Sequence, residues 1–494
     1  MNAMPAAPLL AAILRSTARR YRLPPLDTPT DEQDAHDTRP TRSAPPATVL
    51  AIAIEHARRA LARNEAPGPH LERTWVAALA ALIREALRDD TVFQAMLLRH
   101  RDVRVREYAS LSAHAEQDRR SIYANVNAIA HPARLARIAD TAQREALAQV
   151  QASASAMAWP ALHAAARALF ALPDLAHESE LQRGLARLVD NPALPRLQRL
   201  NTLATHAAVQ QYEALWDRQG PRPGSADAMA QGSASQQRGA AVEALAAQAL
   251  SALAARLDAA EGERGRYRVV TSMRVPAAIP ASAERAKSEW DAVLLRRADT
   301  SDTSDTSDTH RAGEAAGVWD VCLLVEAKAS IDAATTDFPR LLRGLRLLAH
   351  ARAHETYAFD TRQGAVRLNG AALHALSTGE AAVRDTVLYC SDAAAVRDTV
   401  LYCSDAAAET APRLLGAASR MQLLSAPASL AFASAIAEGR TPDTALLHDV
   451  WRDLLASPRW ATVRDQYPML DRVRGLMVHA DDLAAAAAET MPEA

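Results

Sequence analysis

Lysine is nearly absent from this sequence, because only two of its 56 lysine and arginine residues are lysines, Lys287 and Lys328. Cysteine is also scarce: Cys322, Cys390 and Cys403 are the three present, and none lies in a C-x-x-C pair. This usage excludes a disulfide-stapled secreted scaffold and favours a reducing cytoplasm as the location. No apolar run reaches the roughly 18 residues of a membrane-spanning helix, so we expect no membrane partner.

Aromatic residues make up 4% of the chain, whereas alanine and arginine are abundant. This composition favours helix and is typical of a bacterial genome rich in G and C. The formal charge of −2 excludes a globally basic nucleic-acid-binding protein but leaves room for a local arginine-lined groove. With 494 residues the chain is long enough for two or three domains.

Composition and periodicity divide the chain into five segments. Residues 1–47 should form a short amphipathic helix, Leu9 to Leu23, and a disordered linker rich in Pro, Asp, Thr and Arg. Residues 48–218 show only helical periodicity and predict an all-α domain. A Gly/Pro/Ser-rich hinge at 219–234 leads into an α/β domain at 235–425, and residues 426–494 return to helix. The predicted chain is therefore predominantly helical around one α/β core.

Two repetitive features interrupt the α/β segment. Three tandem Thr-Ser-Asp triplets within 299–309 predict an expanded loop between two strands. The segment AVRDTVLYCSDAA starts at Ala382 and again at Ala395, so residues 382–407 contain a tandem duplication with a period of 13 residues. Only one copy of TVLYCSD can fill a strand position. We favour the second copy, because a predicted helix, PRLLGAASR, and a possible strand, MQLLS, follow it directly.

The α/β segment opens with a strong amphipathic helix in which Glu243 is the conspicuous charge. Glu243 lies one turn beyond Gly239, where the missing side chain would let a neighbouring strand or ligand come close. Later elements follow from alternation and capping patterns. They are strands at Tyr267–Val275 and Ser288–Arg297, a strand with the apolar run Val321–Val325, and a helix from Asp337 to Glu355 capped by Asp337 or Thr336.

The stretch WDVCLLVEAKAS, Trp319 to Ser330, carries the strongest functional signal. Its apolar run from Val321 to Val325 is typical of a strand buried on both faces, yet it ends in Glu326 and Lys328, which point to the same side. Burying ionised side chains is costly unless they are paired or bind a ligand. Since the sequence otherwise uses arginine for positive charge, a lysine here suggests a compact ammonium with a role that a guanidinium cannot fill.

Residues 236–425 predict the order helix, three strands, helix, strand. The charged residues are Glu243 in the first helix, Asp291 in the second strand, and Glu326 and Lys328 at the end of the third strand. This pattern resembles the PD-(D/E)xK nuclease superfamily, whose restriction-endonuclease-like α-β-β-β-α-β core carries an Asp on the second strand and (Asp/Glu)-x-Lys on the third. Trp290 stands where the name-giving Pro would precede Asp291. The resemblance implies a mixed sheet of this order, flanked by all-α regions.

The resemblance also implies a metal-dependent nuclease that hydrolyses phosphodiester bonds, most naturally in DNA. Mg²⁺, or Mn²⁺ in its place, is held through one or two carboxylates and keeps several waters. Asp291 and Glu326 would supply these carboxylates, the Ala327 carbonyl would be a third ligand, and Glu243 would reach a metal-bound water or a second metal. Lys328 would orient the attacking water or stabilise the charge that develops on phosphorus.

Two alternatives stay open on the sequence alone. An E-x-K triplet on a helix would be a surface ion pair worth under about 1 kcal/mol, and a buried pair could be purely structural or the remnant of a decayed site. The same fold could also serve as a catalytically inactive interaction or nucleic-acid-binding module that contacts protein partners through its helical regions. Metal-dependent cleavage of nucleic acid separates the enzyme from the module.

Overall fold

The computed structural model describes residues 8–23, 44–171, 179–221, 224–281, 284–298, 317–376, 400–409 and 412–489. Across these residues the chain is mostly helical and contains a seven-stranded mixed sheet, in agreement with the predicted α/β class with additional helices. The chain forms two compact units: Met1–Ala78, Gly224–Arg420 and Arg452–Ala494 make the first, and Leu79–Pro223 and Met421–Trp451 make the second. Most of the predicted linker, the triplet insertion and the first copy of the duplicated segment lie outside the described residues.

The described residues between 44 and 221 contain helices and no strand, as the helical periodicity of this region predicts. Asp90 and Asp102 each start a helix, because their side chains accept hydrogen bonds from backbone N–H groups of the first turn. In the second unit, Trp159 and Leu185 are buried in one apolar core. The helices up to the sheet are α1 (Pro8–Ser16), α2 (Pro46–Ala62), α3 (Pro69–Asp89), α4 (Thr91–Arg101), α5 (Val103–Ser112), α6 (Ala115–Ala130), α7 (Pro132–Leu135), α8 (Thr141–Ser155), α9 (Trp159–Phe170), α10 (Ser179–Val189), α11 (Ala193–Ala204), α12 (Ala207–Asp217) and α13 (Ala226–Glu261).

The sheet belongs to the first unit, and the remaining helices lie between its strands in the chain or after the last of them. Its strands are β1 (Tyr267–Arg274), β2 (Glu289–Arg297), β3 (Val318–Ala327), β4 (Thr356–Phe359), β5 (Val366–Asn369), β6 (Val400–Ser404) and β7 (Met477–His479). The remaining α-helices are α14 (Ile331–Ala349), α15 (Gly370–Ala375), α16 (Ala417–Leu424), α17 (Pro427–Ala437), α18 (His448–Ala456), α19 (Ala461–Arg464), α20 (Gln466–Leu476) and α21 (Ala480–Ala488), with 3₁₀ helices at Thr444–Leu447 and Pro458–Trp460.

Strand pairing places β3 at the centre of the sheet. β1, β2 and β3 form an antiparallel meander. The other edge of β3 is shared by two parallel neighbours, β5 at Val318 and Trp319 and β6 along Leu324–Ala327. β4 lies antiparallel to β5, and β7 lies parallel to β6. The end of β3 that carries Glu326 is therefore flanked by β2 on one side and β6 on the other.

α13 packs on the sheet with a continuous apolar face. Leu250 of α13 shares one buried cluster with Leu294 of β2 and Leu323 of β3, to which α1 adds Leu10 and α21 adds Leu483. By length and composition α13 is also the one helix among the described residues that could cross a membrane, although the core helix of a soluble protein passes the same test. Packing against the strands accounts for its apolar face.

Capping side chains explain two helix starts that differ from the predictions. α13 begins at Ala226, inside the predicted hinge, because the Ser225 hydroxyl accepts a hydrogen bond from the Ala228 N–H. α14 begins at Ile331, because the Ser330 hydroxyl caps it in the same way. Asp337 is consequently not a helix cap and lies inside α14.

Other predicted elements are also corrected. α1 ends at Ser16 rather than at Leu23, and the first four residues of the predicted strand MQLLS belong to α16. Five apolar-rich residues are too few to separate a strand from a helix by period. The short strands β4, β5 and β7 were not predicted, because three or four residues carry no recognisable alternation. The second copy of the duplicated segment does supply β6, as predicted.

Candidate metal and phosphodiester site

Asp291 and Glu326 lie side by side on neighbouring strands. The antiparallel register of β2 and β3 pairs Ala292 with Val325, and one further step brings Asp291 opposite Glu326 on the same face of the sheet. Asp291 Oδ2 accepts a hydrogen bond from the Ala327 N–H at 2.9 Å, which fixes this carboxylate across the end of β3. The structure thus brings together the two carboxylates that the sequence singles out.

Glu326 is fully buried, with 0% of its surface exposed. Its Oε2 lies 2.6 Å from Lys287 Nζ and 3.2 Å from Lys328 Nζ. Its Oε1 is also buried, and no hydrogen-bond donor of the described residues reaches it. Burial, reinforced by the Asp291 charge, raises the pKa of the Glu326 carboxyl to about 8, although the two ammonium groups oppose this shift. A buried oxygen without a donor costs free energy unless a ligand binds it.

Lys287 is a site residue that the sequence analysis did not include. It precedes β2, is 5% exposed, and places Nζ 2.6 Å from Glu326 Oε2 and 3.9 Å from Asp291 Oδ1. Both lysines of the chain therefore contact the same carboxylate oxygen. The scarcity of lysine was the signal that could have identified Lys287, because an ammonium is compact where a guanidinium is broad and planar.

Lys328 follows β3 directly and joins a further acid to the cluster. Its Nζ lies 3.2 Å from Glu326 Oε2 and 3.5 Å from Asp337 Oδ2 of α14. Burial opposes the charge of Lys328, but Glu326, Asp291 and Asp337 together raise the pKa of its ammonium. Tyr402 of β6 lies beside this group, and burial together with the Asp337 charge raises the pKa of its phenol. Lys328 is thus a largely buried cation held among carboxylates.

Glu243 of α13 lies at the rim of the cluster. Its ion-pair partner is Arg362, with 3.9 Å between Glu243 Oε2 and Arg362 Nη2. Burial raises the pKa of Glu243, and the Asp291 charge adds to this shift. Gly239 lies one turn earlier in α13, and the close approach expected there is not seen among the described residues, because nothing lies within 4 Å of a Cβ built on it. Glu243 therefore senses Asp291 electrostatically without joining the hydrogen-bonded group.

The free oxygens of the cluster suit a hard divalent cation held by two carboxylates. Mg²⁺ is commonly bound through one or two carboxylates together with waters and substrate phosphates. Glu326 Oε1 and Asp291 Oδ1 are the oxygens that neither a lysine hydrogen bond nor the Ala327 N–H engages. In the part of the chain that the structure describes, no group of three His, Cys, Asp or Glu side chains could hold a metal ion. The donors thus fit an ion held by Asp291 and Glu326, without Glu243.

α14 also carries arginines close to the cluster. Arg340, Arg343 and Arg346 recur at a spacing of three residues, and within the described ranges no carboxylate pairs with any of them. Arg343 and Arg346 line an open cleft of about 280 Å³, whose wall contains one acid, Glu284. The Arg340 carbonyl accepts a hydrogen bond from the Lys287 N–H at 3.2 Å, so the arginine face adjoins the segment that carries Lys287.

Comparison with known proteins identifies no relative: no protein-family model, curated protein or solved structure matches the chain significantly. The geometry of the cluster is therefore the basis for a functional assignment. Two carboxylates on adjacent strands, with two lysines on one of their oxygens, can hold a metal ion or form a complete structural ion pair. These possibilities differ in whether a ligand binds Glu326 Oε1.

Proposed function

We propose that this protein is a nuclease of the PD-(D/E)xK type, a metal-dependent hydrolase of phosphodiester bonds with DNA as its favoured substrate. The observation that carries the proposal is the position of Asp291 and Glu326 on adjacent strands, with Lys328 two residues beyond Glu326. The succession of α13, β1, β2, β3 and α14, with β6 following after β4, β5 and α15, supports it, since a helix, three antiparallel strands, a helix and a parallel strand form the core of that superfamily.

A bound Mg²⁺ or Mn²⁺ would supply Lewis-acid chemistry at the scissile phosphate, with Asp291 and Glu326 as its protein ligands. The Ala327 N–H holds one oxygen of Asp291 and leaves Oδ1 for the cation. Lys328 keeps a proton on Nζ and places its charge beside Glu326, where it can orient water or stabilise charge on phosphate oxygens. Glu243 at the rim would position a water molecule or accept its proton.

The arginine face of α14 supports a polyanionic substrate. Arginine side chains without acidic partners in the described residues are available to phosphate groups, which they bind independently of base sequence and in a salt-sensitive way. The chain as a whole has a formal charge of −2, so attraction of nucleic acid must come from a local patch of this kind. The cleft at Arg343 and Arg346 lies on the helix that also carries Asp337 of the site.

A second candidate function is an interaction module without turnover. The Lys287 ammonium favours it, because it lies against both carboxylates and completes an ion pair without a metal ion. Such a module would use its helical regions to contact proteins or its arginine face to contact nucleic acid.

Cleavage assays on the purified chain test the proposal. We expect Mg²⁺- or Mn²⁺-dependent cleavage of DNA, and rates at least about 100-fold lower in Glu326→Ala, Asp291→Asn and Lys328→Ala. Asp332→Asn is the matched control, since this α14 carboxylate is 76% exposed and lies 4.0 Å from its partner Arg413. Absence of metal-dependent cleavage of DNA and RNA, or full activity in Glu326→Ala, contradicts the nuclease. If the chain binds DNA but neither cleaves it nor binds Mg²⁺, the interaction module is supported.

We also propose a cytoplasmic location. Cys322 and Cys403 are free thiols, and burial raises the pKa of each to about 12, so neither is poised to form a disulfide. A reducing compartment accommodates such cysteines.

A further inference from the structure

The position of Lys287 indicates a role beyond the proposed catalytic set. Its ammonium lies between the two carboxylates, 2.6 Å from Glu326 Oε2 and 3.9 Å from Asp291 Oδ1. We propose that Lys287 is a resident cation of the site: it neutralises Asp291 and Glu326 in place of a second metal ion and limits the site to one weakly held divalent ion. This inference rests on the proposed function for the nature of that ion.

The fold builds this position for Lys287. The Lys287 N–H donates to the Arg340 carbonyl at 3.2 Å, which anchors the backbone to α14. At Gly344, one turn along α14, a Cβ would lie 2.7 Å from Lys287 Cβ and 3.0 Å from the Lys287 carbonyl oxygen, so only glycine permits the approach. The side chain is 6% exposed. Lys287 is therefore packed into the site and does not reach it as a mobile surface side chain.

Charge balance explains why a second ammonium is needed. Asp291, Glu326 and Asp337 bring three carboxylates together, while Lys328 supplies one positive charge among them. Like charges repel strongly in a space with little water, and the Asp291 charge contributes to the raised pKa of Glu326. When Glu326 is ionised, above the raised pKa of its carboxyl, two ammonium groups face three carboxylates, and one net negative charge is left for an external cation.

The two lysines also decide which oxygens remain for a ligand. Glu326 Oε2 is engaged by both lysines and Asp291 Oδ2 by the Ala327 N–H, so Glu326 Oε1 and Asp291 Oδ1 are left. A divalent ion on these oxygens competes with Lys287 Nζ for the charge of Asp291 and is repelled by the ammonium. Removing the charge of Lys287 should therefore tighten the binding of divalent ions.

Calorimetric titration of metal-stripped protein with MgCl₂ at about pH 9, where protons compete least for carboxylates, measures this effect. We expect Lys287→Met and Lys287→Gln to bind Mg²⁺ at least about tenfold more tightly than the unmodified chain, or to bind a second equivalent. Arg362→Met is the matched control, because it also removes one positive charge near the site but pairs with Glu243 and not with Asp291 or Glu326. Its affinity should change by less than about threefold.

Unchanged Mg²⁺ affinity and stoichiometry in both Lys287 variants would overturn the inference, and so would equal tightening in Arg362→Met. If the Lys287 variants are unfolded without metal, refolding on addition of Mg²⁺ supports the inference, because the ion then replaces the ammonium; failure to refold overturns it. Tighter Mg²⁺ binding without any cleavage by the unmodified chain would keep the resident cation and reject the nuclease. Cleavage by the unmodified chain, with unchanged Mg²⁺ affinity in the Lys287 variants, would keep the nuclease and reject the resident cation.

Discussion

Among single residues, Glu326 makes the free energy of unfolding of the first unit, which contains the sheet, depend on pH. Burial, with Asp291 as the next contribution, raises its pKa from 4.5 to about 8, so the folded chain binds this proton more tightly than the unfolded chain does. The stability that the proton contributes is fully present below the unfolded value of 4.5 and is lost as the pH rises through about 8.

We expect the free energy of unfolding in metal-free buffer to fall by at least about 1 kcal/mol between about pH 5 and about pH 9. Glu326→Gln keeps the shape of the protonated carboxyl and should lose this part of the pH dependence. Urea denaturation at several pH values measures how the free energy of unfolding changes with pH in the unmodified chain and in Glu326→Gln. Glu289→Gln on the same strand as Asp291, with a side chain 43% exposed, should keep the original slope. Equal slopes in Glu326→Gln and the unmodified chain would contradict the expectation.

Gly344→Ala tests how the fold positions Lys287. A Cβ at this place would lie 2.7 Å from Lys287 Cβ, so α14 or the Lys287 backbone must shift. We expect the free energy of unfolding to fall by about 1–3 kcal/mol. Gly239→Ala in α13 is the matched control, because nothing lies within 4 Å of a Cβ there, and it should stabilise the chain by about 0.5–1 kcal/mol. A Gly344→Ala protein as stable as the original would show that Lys287 is not held by this contact.

Among the elements, α14 links the site to a cationic face. Asp337 contacts Lys328, and the arginines of the next turns lie beside the open cleft. If nucleic acid binds along α14, the cations of this helix set the salt dependence of binding.

Arg343→Ala and Arg346→Ala should each weaken binding of a short DNA duplex and lower the slope of log K against log salt by about 1 for each phosphate that the variant no longer binds. Fluorescence anisotropy over a salt series measures affinity and slope together. Arg413→Ala, which removes an arginine that is 79% exposed and pairs with Asp332, is the control and should leave both unchanged. Identical salt slopes in all these proteins would exclude α14 as the phosphate-binding face.

The duplicated segment contributes one strand to the sheet. β6 comes from the second copy, is buried throughout, and pairs with β3 and β7. Deleting residues 382–394 gives the same chain as deleting residues 395–407, because the two copies are identical and stand in tandem.

Deletion of one copy should therefore leave a complete β6 and change the free energy of unfolding by less than about 1 kcal/mol, the scale of a change in loop length. Deletion of both copies removes the strand beside Glu326 and should abolish cooperative unfolding. Thermal and urea denaturation of the two deletion proteins compare these outcomes. A large decrease in stability in the single deletion would mean that the other copy also contributes to folding.

Across the whole molecule, segments from the two ends of the chain pack in the same unit. Leu10 of α1 is buried in one cluster with Leu483 of α21. Beyond α1, the Tyr21 hydroxyl donates to the Ala406 carbonyl at 2.6 Å, and Arg474 Nη1 donates to the Tyr21 carbonyl at 3.2 Å. The first segment is thus part of the α/β unit, although composition sets it apart as a separate helix and linker.

Removal of residues 1–23 should lower the free energy of unfolding by at least about 3 kcal/mol, because several fully buried apolar side chains are removed, each worth about 1.5–3 kcal/mol. Hydrogen exchange should also become faster in α21. Arg22→Ala, an exposed position in the same segment, is the control and should have little effect. If the truncated chain has the same free energy of unfolding as the original, α1 does not contribute to the stability of the unit.

Local patterns were sufficient for the strands that carry the site. Alternation predicted β1 and β2, and the apolar run before Glu326 predicted β3, because burial leaves a period of two or a continuous run in the sequence. The start of α14 was not predicted, since Ser330 and Asp337 are both acceptable caps by residue type and the local pattern does not separate them. The division into units also escaped prediction, because it depends on contacts between distant segments.

The sequence by itself determined that a core strand ends in Glu326 and Lys328 and that Asp291 stands on the strand before it. Only the tertiary structure decided how these charges are balanced. Lys287 reaches Glu326 through the β2–β3 register and the space left by Gly344, and Asp337 faces Lys328 from inside a helix that it was expected to cap. Secondary structure follows a local period, whereas the neutralisation of buried charge depends on groups far apart in the chain, and no local pattern records which groups will meet.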